Sequence, residues 1–259
     1  MADLLQDARY ALAHAKRRAA EFQGEVAAFL NSNPYAKVIE QNADGTEDLY
    51  KIKLVKPMTI GLRGVAFDTV NSLRAALDQA GFAAARAAGN DGRNAHFPFR
   101  ENISEMQGTI KQHARGEGRS KDIPAEVFAV IVAFQPYKGG NDLLWALNKL
   151  CNTQKHEIVV PMALRNTGGA VNRVIVEGGP AAFGIPAQWD SAKQEILLVR
   201  VARGVPRSVD IQVDTFIAIG KVDGVEGQPA IGILNGLTGV VERIISAIET
   251  EATRIGLTA

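Results

Sequence analysis

The side chains that could carry chemistry in this chain are concentrated in one run near its middle, from Asn141 to His156. At about 100° per residue, this run forms an apolar arc of leucines and a separate polar arc about 100° wide. The polar arc combines amide, aromatic, ammonium and imidazole groups: Asn141, Trp145, Asn148, Asn152, Lys155 and His156. Such groups together can hold a phosphate or a sugar, or can transfer a proton with the imidazole as general base.

The same residues also have an explanation that needs no ligand. Lys155 and His156 suit the last turn of a helix, where cations meet the negative end of the helix dipole and can donate to the last carbonyls. Trp145 suits a packing or interface role as well as a stacking platform for a ligand. Both interpretations stay open at the level of sequence.

A second set of polar residues lies on an earlier predicted helix. Arg74 and Asp78 are four residues apart, which is the spacing of an ion pair along one helix face. If this face packs against the polar arc, Asp78 can orient the imidazole of His156 while Arg74 holds an anion. The candidate catalytic residues are therefore His156, Asp78 and Arg74. The candidate binding residues are Trp145, Asn148, Asn152, Lys155, His156 and Arg74.

Other motifs offer less chemistry. Arg9 and His14 share the Arg-x4-His spacing of the HEPN-type ribonucleases, a helical nuclease fold that this pair resembles in spacing alone. His96 and His113 have no companion at metal-ligand spacing, and no cysteine, histidine or carboxylate cluster resembles a metal site. The chain also lacks a P-loop, a G-x-S-x-G motif and a strand followed by G-x-G-x-x-G. The sequence therefore predicts neither a metal nor a cofactor.

Composition predicts a globular cytoplasmic protein. The chain has 259 residues, of which 46% are hydrophobic and 22% charged, values ordinary for soluble domains. A formal net charge of +1 gives no electrostatic reason to expect nucleic acid or a membrane as partner. The single cysteine, Cys151, lies among leucines, which predicts a core residue with an unreactive thiol and no intrachain disulfide. The first residues are charged where a secretory signal has an apolar block, and no stretch approaches the roughly 18 consecutive apolar residues of a membrane span.

Hydrophobic periodicity predicts a mainly helical part over residues 1–156. Long helices are predicted over 3–30 and 59–88, and shorter ones over 101–115 and 124–134. An Asp44-Gly45 turn joins two short runs into a β-hairpin at about 36–55, with Tyr50, Ile52 and Leu54 on one face and Lys51 and Lys53 on the other. The segment Phe97-Pro98-Phe99 is expected to place two aromatic rings on the core.

The remaining residues, 157–259, predict an antiparallel sheet and a terminal helix. The β-rich runs are 158–160, 173–176, 195–201 and 209–217, and the helix is predicted over 237–255. Alternation in the run 209–217 predicts a sheet with one wet face. The fold class is therefore α+β: long N-terminal helices with a β-hairpin, then an antiparallel β-meander closed by a C-terminal helix. If the hairpin joins the meander, the two parts form one intertwined domain.

Several short motifs occur in an order that resembles an uncharacterised family of bacterial and phage-associated proteins. They lie within about residues 60–160 and are Asn71–Asp78, Phe97-Pro98-Phe99, Gln135-Pro136-Tyr137, Leu144–Leu147 and Asn152–His156. The chain departs from that pattern at Gln79, where a histidine is expected, and at Gln154, where an aspartate is expected. Both departures remove ionisable groups. The resemblance implies a fold and no activity.

The sequence thus predicts an intracellular binding or interaction module more than an enzyme, with a protein or a small anionic ligand in a polar-aromatic cleft between helices. The first alternative is a metal-independent nuclease or other phosphodiesterase that uses His156 as acid and base and Arg74 or Lys155 to stabilise charge. The second alternative is a structural or phage-assembly component, which would form homo-oligomers.

Overall fold

The computed structural model describes residues 3–152, 158–162, 171–177, 181–183, 189–190, 192–203, 208–213 and 215–257. The fold is α+β, as predicted. The helices are α1 Gln6–Asn31, α2 Ile60–Ala87, α3 Ile103–Ala114, α4 Ala125–Ala133, α5 Asp142–Asn152 and α6 Ala230–Arg254. The strands are β1 Tyr35–Gln41, β2 Glu47–Leu54, β3 Val159–Met162, β4 Val171–Glu177, β5 Ala181–Phe183, β6 Trp189–Asp190, β7 Glu195–Ala202, β8 Ser208–Val213 and β9 Phe216–Ile219.

Helices α1 and α2 form a long antiparallel pair at the centre of the helical layer. Arg18 on α1 pairs with Asp68 on α2 at 2.9 Å, and one turn further along, His14 meets Ser72 at 3.1 Å. The buried stripes of both helices are rich in alanine, which lets the two backbones approach closely. Helix α6 packs against both α1 and α2, whereas α5 packs against α2.

Helix α6 completes the helical core. It packs against α1, α2, α4 and α5 and buries a stripe of aliphatic side chains that includes Val241, Ile244 and Ile248. The helix begins at Ala230, directly after Pro229 and seven residues before the predicted start. Gly236 lies inside the helix where it packs against α5, and a Cβ there would come within 3.1 Å of Leu143. By length and hydropathy α6 is the one described helix that could cross a membrane, and half of its most apolar window is buried in this fold.

The predicted hairpin forms and becomes part of the main sheet. β1 pairs with β2 around a turn in which Gly45 has φ +67° and the side-chain oxygen of Asn42 accepts from the backbone of Thr46 and Glu47. The strand order is β1-β2-β7-β5, with β6 also paired to β7, and every pairing is antiparallel. The hairpin therefore joins strands from the second half of the chain.

The lysine face of β2 differs from a simple wet face. Lys51 and Lys53 both bind Glu40 on β1 and Glu195 on β7, so four alternating charges link three adjacent strands. Lys51 and Glu195 are mostly buried, as Ile52 is on the other face. Burial alone would raise the pKa of Glu195, but hydrogen bonds from Lys51 and Lys53 hold this pKa below its usual value.

The prediction of one strand over 209–217 was wrong. β8 pairs with β4, whereas β9 pairs with β3, so the two halves of the run belong to different two-stranded ladders. Period-two alternation describes side-chain direction along a strand and carries no information about which partner each half meets. Among the described residues after 157, β3 and β9 form one antiparallel pair and β4 and β8 another, whereas β5, β6 and β7 belong to the main antiparallel sheet with the hairpin.

Candidate functional site

Helix α2 carries the first two candidate residues. The helix begins after Thr59, whose side chain accepts from the backbone of Leu62 at 3.3 Å. Leu73 and Leu77 face the core. Arg74 directly follows Leu73 and Asp78 directly follows Leu77, so both polar residues lie at the side of this buried stripe. The Arg74 side chain is 25% exposed, so it can reach both protein and solvent.

Helix α5 carries Asn148, and a tight turn before the helix fixes where it begins. Asn141 accepts from the backbone of Leu144 at 3.0 Å through its side-chain oxygen. Gly140 is required just before it, because a Cβ at this position would lie 2.8 Å from the carbonyl oxygen of Gln135. Asn141 therefore has a structural role in starting the helix that the polar-arc pattern did not reveal.

The two helices meet at Arg74, as the sequence argument required. Arg74 donates through Nη1 to Oδ1 of Asn148 and through Nε to Oδ2 of Asp78 at 3.0 Å. Its guanidinium carbon lies 4.3 Å from the centroid of the Phe99 ring. Two hydrogen bonds and one cation–π contact therefore hold this arginine in a single orientation. We call Arg74, Asp78, Asn148, Phe97 and Phe99 the Arg74 site.

Asp78 connects the site to the aromatic segment. Its Oδ1 accepts from the backbone N–H of Phe97 at 2.9 Å, so both carboxylate oxygens have partners. Phe97 and Phe99 are buried with their ring centroids 4.8 Å apart, which confirms the expected anchoring of this segment on the core. The Phe97 N–H was missed by the sequence argument, because a backbone donor leaves no trace in residue type.

Trp145 does not belong to an open polar face, so its predicted position was wrong. Only 2% of the residue is exposed, and Gly224 lies against its six-membered ring. The ammonium groups of Lys138 and Lys149 lie 5.1 and 5.2 Å from the ring centroid. The indole N–H is buried and has no hydrogen-bond partner among the described residues. The packing alternative therefore describes Trp145, and the exposed part of α5 is polar without being aromatic.

The end of α5 continues the polar face. Asn152 is exposed, and its amide donates to the carbonyl oxygen of Asn148 at 2.9 Å. Cys151, one position earlier, donates to the carbonyl oxygen of Val70 at 3.4 Å, and burial raises its pKa to about 12, which keeps the thiol protonated. Lys155 and His156 lie outside the described residues, so their roles stay predictions.

Arg9, His14 and His113 each have a separate structural partner and do not form a second site. Arg9 and His14 both lie on α1 but contact different helices. Arg9 pairs with Asp3 and with Glu249 on α6, whereas Nδ1 of His14 lies 3.1 Å from Ser72 on α2. Nε2 of His113 lies 2.9 Å from the carbonyl oxygen of Ile123, and its ring stacks on Phe128. Across the part of the chain that is described, no three histidine, cysteine or carboxylate groups lie close enough to hold a metal.

The Arg74 site offers hydrogen-bond donors and few acceptors. Asn148 uses its oxygen to accept from Arg74, so its NH₂ group is turned away from the guanidinium. Within the described ranges, no residue accepts from this NH₂ group or from Nη2 of Arg74. Both oxygens of the neighbouring carboxylate already have partners. The unused groups can therefore bind an acceptor such as a carboxylate or a phosphate oxygen.

Comparison of the chain with protein-family models, curated proteins and solved structures gave no match. The likeness to the bacterial and phage-associated family therefore stays a prediction.

Proposed function

We propose that this protein is a binding module and that Arg74 and Asn148 receive an anionic group of its ligand or partner. The proposal rests on the Arg74 guanidinium. It is fixed by hydrogen bonds to Asp78 and Asn148 and by the Phe99 ring, and its Nη2 group has no acceptor among the described residues. The residues that hold it supply no described nucleophile or metal set. Binding is therefore a better description of this chemistry than catalysis.

Preorganisation of the arginine supports this function. A free arginine side chain loses rotamer entropy when it is ordered on a ligand. Arg74 is already ordered by Asp78, Asn148 and Phe99. A hydrogen bond between charged groups contributes about 1.5–3 kcal/mol, which corresponds to roughly 10- to 150-fold in affinity. Lys155 and His156, if they follow α5 on the same side as predicted, add positive charge beside the site.

The sharpest test changes the donors without removing the structural bond. Asn148→Asp keeps an oxygen for Arg74 and replaces the two amide hydrogens by a second, negatively charged oxygen. We expect this variant to keep its melting temperature and to lose at least about tenfold in anion affinity. Binding is measured by following the Arg74 Nε–Hε resonance while inorganic phosphate or acetate is added at constant ionic strength.

Asn152→Asp is the matched control. It introduces the same charge one turn further along α5, at an exposed residue that does not touch the guanidinium. We expect this control to weaken binding much less than Asn148→Asp does. Equal losses in both variants would assign the effect to general surface charge. Failure of wild-type protein to bind either anion would contradict the proposed function.

A further inference from the structure

Strand β1 ends the main sheet in its described part and leaves one row of backbone groups without a neighbouring strand. The strand has seven residues, Tyr35–Gln41, and contains no proline, since Pro34 lies just before it. Ile39 is 60% exposed although it lies in the middle of this strand. Natural proteins usually protect such edges with prolines, bulges or several charges. β1 has two charged residues, Glu40 and the exposed Lys37, and the Glu40 carboxylate is already paired with Lys51 and Lys53 of β2.

We propose that β1 pairs with β1 of a second copy of this chain, antiparallel and centred on Val38. A two-fold axis perpendicular to the sheet places residues of the same face opposite each other, because side chains alternate along a strand. Centring on Val38 pairs all seven residues of the strand. Tyr35 then lies opposite the partner's Gln41, and Ala36 lies opposite the partner's Glu40.

Charge selects this register over its neighbours. Shifting the centre by one residue to Lys37 or by two residues to Glu40 sets two like charges opposite each other, which is unfavourable across a strand pair. Centred on Val38, Lys37 lies opposite the partner's Ile39 and can cover it with the apolar part of its side chain. Glu40 lies opposite the partner's Ala36, whose other neighbour in the sheet is Lys53, so opposite charges lie on the two sides of a small residue.

Centring on Ile39 also avoids like charges but shortens the paired segment within the strand. Pairing over seven residues buries less than the roughly 1,600 Å² of a standard interface. The dimer is therefore expected to be weak, and the fraction of dimer should rise with protein concentration in the micromolar range. The two sheets would join into one continuous sheet across the two-fold axis.

The test measures molar mass by size-exclusion chromatography with light scattering over a dilution series. Ile39→Lys sets an ammonium opposite the partner's Lys37 twice in each dimer and should give monomer at every concentration. The double variant K37E/I39K should restore the dimer, because the new carboxylate and ammonium then face each other across the axis. Circular dichroism checks that both variants fold, which is expected since the substituted side chains are exposed.

Ile103→Lys is the control, because Ile103 is 55% exposed on α3, away from the sheet. It should leave the dimer fraction unchanged. A wild-type protein that stays monomeric throughout the series overturns the proposal. So does a dimer that survives Ile39→Lys. If Ile39→Lys gives monomer and K37E/I39K does not restore the dimer, the strands pair in another register, which overturns the arrangement centred on Val38.

Discussion

Truncating Trp145 to alanine should destabilise the protein strongly, because the indole is buried between α5 and the loop that contains Gly224. A buried tryptophan removes about 150–250 Å² from water, worth roughly 4–6 kcal/mol at about 25 cal/mol per Å². Alanine retains a small part of this, so we expect a loss of about 3–5 kcal/mol in the free energy of unfolding. Such a loss is a large fraction of the stability of a typical domain.

Trp145→Phe separates the apolar contribution from the unpartnered N–H. Phenylalanine keeps most of the ring contacts and removes a buried donor whose desolvation costs about 1–3 kcal/mol. The two effects oppose each other, so the variant should lie within about 1 kcal/mol of wild type. Urea denaturation followed by far-ultraviolet circular dichroism measures both variants on the same scale.

Two results would contradict this reasoning. A loss below about 1 kcal/mol for Trp145→Ala would mean that the indole behaves like a surface residue. A loss for Trp145→Phe as large as that for alanine would mean that the N–H makes a stabilising hydrogen bond in solution. The first result would restore Trp145 as a candidate ligand contact.

Four further predictions concern other parts of the molecule. Asp78→Ala should cost about 1–3 kcal/mol in urea denaturation, because it leaves the buried N–H of Phe97 without its acceptor; an unchanged midpoint would contradict this. The Cys151 thiol, whose pKa is raised to about 12 by burial, should resist iodoacetamide near neutral pH and react once urea unfolds the chain; rapid labelling of folded protein would show it to be accessible. The pKa of Glu195 is lowered in the folded state, so its contribution to stability is present above the unfolded-state pKa of about 4.3 and is lost as pH falls through the folded-state value. Glu195→Gln should therefore flatten the acid side of the stability curve measured by thermal unfolding. When purified protein is incubated with RNA in EDTA, we expect no cleavage that depends on His156. Cleavage by wild-type protein that is lost in His156→Ala would favour the nuclease alternative.

Local parts of the fold were predictable from the sequence because local interactions determine them. The Asp44-Gly45 turn, the proline and glycine residues between helices, and the helical periodicity carried the needed information. The i,i+4 spacing of Arg74 and Asp78 predicted their ion pair, which forms at 3.0 Å. The sequence could not show whether α2 approaches α5, on which the predicted site depended. The bond from Arg74 to Asn148 shows that the two helices meet at these residues.

Long-range relations were not predictable in the same way. The helical pattern placed Trp145 on the polar arc, but the residue is buried, and the segment near Gly224 that covers it lies far away in sequence. The division of the run 209–217 between two ladders likewise depends on partners elsewhere in the chain. Side-chain periodicity specifies which way a residue points, and tertiary packing decides what it meets there.

The insertion of the N-terminal hairpin beside β7 has a consequence for synthesis of the chain. Lys51 and its carboxylate partner Glu195 are 144 residues apart in sequence. At about 5–20 residues per second, a ribosome needs roughly 7 to 30 seconds to make the intervening segment. During that interval β2 has no neighbour on one side and two lysine ammonium groups lack one of their carboxylates. The nascent hairpin thus exposes an unpaired strand edge, where it can associate with other chains, until its own downstream strand emerges.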